Sequence, residues 1–89
     1  MTKKINKSAI RKDIAQRLFN EFLASGEEYT CMASVFSTVR QSALKASSDL
    51  LDQGINLSKG NYPISWKSLM ADMFMYDAAK LVHAKYYPS

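Results

Sequence analysis

The chain reads as an all-α domain of three helices. Hydrophobic residues recur at helical spacing in three long segments, glycine- and proline-containing breaks separate those segments, and the last segment has almost no polar side. Eighty-nine residues, 47% hydrophobic and 22% charged, make one domain (1–89) with a thin core rather than a disordered chain.

The first helix is expected over about 8–25. Ile10, Ile14, Leu18 and Phe22 recur every fourth residue, with Phe19 and Leu23 beside them, and Ser8 or Asn6 supplies a cap. Ser25-Gly26-Glu27-Glu28 is punctuation. Gly26 suits a left-handed helix end, while Ser25 and Glu28 have capping-box spacing for the next helix.

The second helix is expected over about 27–53. Tyr29, Met32, Phe36, Val39, Ala43, Ala46 and Leu50 step alternately by three and four, which is a heptad seam, and Gly54 ends it. Residues 54–64 form a structured loop or a minimal hairpin around Lys59-Gly60-Asn61. Pro63 would confine a second strand to an edge.

The third helix is expected over about 65–87, capped by Ser65 and closed before Pro88. Only Ser68, Asp72 and His83 make a polar strip on it. A helix apolar nearly all round is buried on more than one side, and so short a chain has little to bury it with. The face holding Phe74, Ala78 and Leu81 is expected in the core. Leu69, Met73 and Tyr76 are expected to remain as an interface for a protein partner or a second copy, since Tyr and Met are enriched at such surfaces. The buried set is expected to be Ile14, Leu18, Phe22, Phe36, Val39, Leu50, Phe74 and Leu81.

Charge is unevenly spread. Residues 1–17 carry six bases against Asp13 alone, and the remainder is close to neutral within a formal net charge of +4. A basic N-terminal arm (1–7) running into the first helix is a hint of contact with nucleic acid or an acidic surface. Lys3, Lys4, Lys7, Arg11 and Lys12 are its candidate phosphate contacts, sequence-independent and salt-sensitive. Their scatter around the helix instead favours a solvated helix start, and the arm lacks the apolar face of a membrane anchor. Residues 1–6 are expected to be mobile and dispensable for stability.

Asp77 falls on the apolar side of the third helix and Arg40 within the apolar arc of the second, so an Arg40–Asp77 bridge is expected to satisfy both. His83 is read as a surface residue. Cys31, at the edge of the second helix's seam, is read as a small buried side chain.

Nothing in the sequence supports catalysis, a metal or another cofactor. A phosphate loop, a nucleophile elbow and a metalloprotease motif are all missing. Asp72 and His83 share a face but stand about 16 Å apart along the helix. No apolar run is long enough to span a membrane, the N-terminus has no secretory features, and the single cysteine suits a reducing cytoplasm. The expectation is a non-enzymatic interaction protein (a regulator, adaptor or inhibitor), with a small nucleic-acid-binding protein as the alternative.

Overall fold

The computed structural model describes residues 5–88 and contains three helices: α1 (Lys7–Ser25), α2 (Met32–Asp52) and α3 (Pro63–Tyr86). No strand occurs among the described residues, so the connection between α2 and α3, expected over 54–64, is a loop over 53–62 and not a hairpin. Each helix packs on the other two, and α3 makes its most extensive contacts with α2.

Helix α1 starts where a cap is available. Asn6 Oδ1 accepts the Ala9 N–H at 3.0 Å, satisfying one of the first-turn donors. Asn6 is thus part of the fold and not of a dispensable arm. The expected mobility of Met1–Lys4 lies outside the described residues. At the other end Gly26 takes φ 77°, the left-handed region.

Helix α2 begins five residues later than expected. Ser25 does not cap it: its hydroxyl donates to the Phe22 carbonyl at 2.6 Å and accepts the Glu27 N–H at 3.1 Å, closing off α1 instead. Residues 27–31 form a non-helical connection, and Cys31, with extended backbone, becomes the N-cap of α2. The far end closes as a Schellman motif. The Ile55 N–H bonds Leu50 O at 2.8 Å, the Gly54 N–H bonds Leu51 O at 2.9 Å, and Gly54 adopts φ 79°. Ile55 packs against the core, supplying the apolar contact that accompanies this motif.

Helix α3 begins two residues before the expected Ser65. Pro63 occupies its first turn, where a missing N–H costs nothing. Ser65 lies inside the helix and donates to the Tyr62 carbonyl at 2.8 Å, so it is not the cap.

The core joins Ile14, Leu18 and Phe22 of α1 to Val35, Val39, Ala43 and Leu50 of α2. Met70, Ala71, Phe74, Met75, Ala78, Ala79 and Val82 of α3 complete it. The buried row of α2 is thus Val35-Val39-Ala43-Ser47, a ridge of four-residue steps that suits helices crossing at an angle, rather than the heptad seam. Phe36 is displaced to the edge of the core and is only half-buried. Ser47 is fully buried, and its hydroxyl is satisfied by the Ala43 carbonyl at 2.8 Å.

Candidate protein-docking face

Helix α3 buries one broad arc and presents another. The covered arc runs from Met70 and Phe74 through Ala78 and Val82 to Met75 and Ala79. Ser68, Asp72 and His83 are exposed, so the polar strip is the solvent face that the sequence indicated. Leu69 and Tyr76 are exposed as well, at 42% and 48%, with half-buried Met73 between them on the same side of the helix. Tyr62 and Ile64, at the start of α3, are among the most exposed large side chains at 72% and 93%.

The loop sets one border of this face. Trp66 Nε1 donates to the Gly60 carbonyl at 2.9 Å, pinning residues 56–60 beside α3. The Ser58 N–H and hydroxyl both bond Asn56 Oδ1, at 2.9 and 2.7 Å, which closes the loop on itself. Gly60 approaches α3 closely with ordinary backbone angles, against the movable end of the exposed Leu69 side chain. A Cβ there would lie 2.5 Å from Leu69 Cδ1 and 3.2 Å from Ser65 Oγ. Met73 lines the clefts under this loop together with Arg11 and Leu57, which accounts for its partial burial.

Helix α1 sets the other border through an ion pair that differs from the expected one. Asp77 is bonded by Arg11, not by Arg40. Arg11 Nη2 donates to Asp77 Oδ1 at 3.0 Å, and Arg11 Nε donates to Oδ2. Arg40 is exposed and forms no ion pair among the described residues. The reason is packing: α1 crosses α3 on the side where Asp77 emerges, while α2 buries the Val35-Val39 row and turns Arg40 to solvent. The bidentate carboxylate contact holds the Arg11 guanidinium above its ordinary pKa.

Leu81 is also corrected. It is 37% exposed and lines a cleft with Lys12, Ala15, Gln16, Asp77 and Lys80. Lys80 reaches back over the Tyr76 ring, with Nζ 4.9 Å from its centroid.

The candidate phosphate contacts separate. Lys7 and Lys12 are exposed on α1 without an ion pair among the described residues, Arg11 is committed to Asp77, and Lys3 and Lys4 lie outside the described residues.

At the opposite end of α3, Tyr29 ties the 27–31 connection to the helix terminus. Its hydroxyl is 2.9 Å from His83 Nδ1, and its ring stacks on Tyr86 at 5.6 Å. Cys31, expected to be buried, is exposed beside this cluster. Its thiol is pulled below the usual cysteine pKa by the backbone N–H groups of Ala33 and Ser34 and by the Thr30 hydroxyl.

The described residues contain no group of three or more His, Cys, Asp and Glu placed to hold a metal ion, and no helix long and apolar enough to cross a membrane. No family model, curated protein or solved structure matches the chain.

The residues that sequence reasoning missed are Leu57, Lys59, Gly60 and Lys80, which border the face. Only the loop's return onto α3 brings Leu57, Lys59 and Gly60 there. Lys80 carried a usable signal, since it lies four residues beyond Tyr76 on the same helix face.

Proposed function

We propose that this is a non-enzymatic helical interaction protein, a small regulator, adaptor or inhibitor. It acts by docking a protein partner, or a second copy of itself, through Leu69, Met73 and Tyr76. The observation that carries the reading is the exposure of Leu69 and Tyr76 at 42% and 48% on a helix whose opposite arc is fully buried. Apolar and aromatic side chains gathered on one outward face are the composition of an interface core. A cytoplasmic setting fits the single, exposed thiol of Cys31.

A second reading, nucleic-acid binding through Lys3, Lys4, Lys7, Arg11 and Lys12, is favoured by the unpaired, exposed Lys7 and Lys12 at the start of α1. It is weakened by the engagement of Arg11 with Asp77.

Photo-crosslinking from position 76, in cells that naturally make the protein, tests the first reading. A benzophenone amino acid replaces Tyr76 there, and a control replaces exposed Gln41 on α2. A discrete protein adduct from position 76, lost on adding Met73→Asp and missing from position 41, is the expected result. Equal adducts from both positions, or none from 76 while the protein co-purifies with salt-sensitive nucleic acid, would favour the second reading.

A further inference from the structure

Three shallow clefts follow one another along the seam between α1 and α3 and onto the 56–60 loop. They are joined at the Arg11–Asp77 pair, because Arg11 lines two of them and Asp77 the third. Their apolar lining comes from Leu57, Leu69, Met73 and Leu81. Their charged lining is one-sided. Lys7 and Lys59 stand over one stretch, Lys12 and Lys80 over the other, and the single carboxylate, Asp77, is already bonded to Arg11. Residues 18–89 carry a slight excess of acid, yet two of these four lysines come from that part of the chain. The packing thus adds Lys59 and Lys80 to two lysines of the basic N-terminal segment along this seam.

Given that α3's outward face docks a protein, we propose that the α1–α3 seam receives an acidic amphipathic helix, with apolar anchors on one face and Asp or Glu on both flanks. Charge complementarity selects this occupant. A second copy using the same surface would set its lysines against these lysines, because a two-fold contact pairs a patch with itself. A nucleic acid would satisfy the lysines and leave Leu69, Met73 and Leu81 uncovered. An amphipathic helix meets both the apolar floor and the basic rim. From Leu69 to Leu81 the seam runs about 18 Å at 1.5 Å per residue, room for about three turns of a docked helix.

The test is fluorescence anisotropy of the full chain with labelled synthetic helices. The first has leucines on one face flanked by glutamates. The second has lysine for each glutamate, the third has the first's composition with its leucines scattered, and duplex DNA is the fourth probe. The first should bind at least about tenfold tighter than the second and third, and weaken as salt is added. Met73→Asp should remove about tenfold or more of that affinity. Combining Lys12→Glu with Lys80→Glu should weaken the first helix and strengthen the second, while Lys67→Glu, outside the seam, should change neither.

Equal binding of the first and third helices would overturn the proposal, because charge alone would then be recognised. Equal binding of the first and second, both lost with Met73→Asp, would overturn the acidic preference and leave the docking function standing. DNA binding tighter than any helix and indifferent to Met73→Asp would overturn both. Failure of every probe would overturn the proposal, with the function then decided by the crosslink from position 76.

Discussion

Asp77 stands at 20% side-chain exposure and meets Arg11 in a bidentate contact, so its carboxylate is held and not solvated. Arg11 itself is 46% exposed, which limits what the pair contributes. Asp77→Ala and Arg11→Ala should each cost about 1 kcal/mol, with the double mutant well short of the sum. Arg40→Ala should stay within about 0.5 kcal/mol, because that side chain is exposed and forms no ion pair among the described residues. Urea denaturation of the four proteins measures this, and a costly Arg40→Ala would restore the Arg40–Asp77 bridge. Cys31 makes a second residue-scale expectation. Its thiolate is stabilised by hydrogen bonds, so the group is an acid with a depressed pKa. Alkylation by iodoacetamide should therefore begin at lower pH in the native protein than in the same chain unfolded in urea. Coincident pH profiles would show that the helix start does not act on the sulfur.

Among the elements, α1 was the most legible in the sequence. Its four-residue row Ile14-Leu18-Phe22 is buried as its spacing demands, and its glycine end is at Gly26. Leu18→Ala should cost about 2–5 kcal/mol through lost transfer energy and a cavity. Leu81→Ala, at a rim position, should cost about 1 kcal/mol or less. Comparable losses at both would place Leu81 in the core after all. The capping of α1 gives a further expectation. Asn6→Ala should cost about 1 kcal/mol, and thermal melting that left Asn6→Ala unchanged would remove the cap from the fold. The start of α2 was not legible, because Ser25 has equally good chemistry for ending one helix and beginning the next. In the fold Ser25 closes α1, and the following residues run out of helix so that Tyr29 meets His83 and Tyr86, fifty or more residues away. The face of α2 was misjudged for a related reason. A heptad seam and a four-residue ridge share Val39 and Ala43, and only the crossing partner decides between Phe36 and Val35.

At the scale of the whole molecule, the three helices bury a single core and still leave part of α3 uncovered. The apolar excess of α3 is plain in the sequence, and in the fold Leu69 and Tyr76 are exposed while Met73 is half-buried beside the loop. The basic rim was not visible, because Lys7, Lys12, Lys59 and Lys80 come from three separate stretches of chain that only the packing gathers. The central claim, that this face and its rim dock an acidic helix, is tested most directly by nuclear magnetic resonance. At 10.0 kDa, backbone amides of the labelled chain can be followed individually while the leucine–glutamate helix is added. Shifts should concentrate at 57–60, at 69–81 and around 7–12, with the Val35–Ser47 row of α2 unmoved and the pattern lost in Met73→Asp. Shifts centred on α2, or confined to the N-terminal lysines and unchanged by Met73→Asp, would contradict that claim.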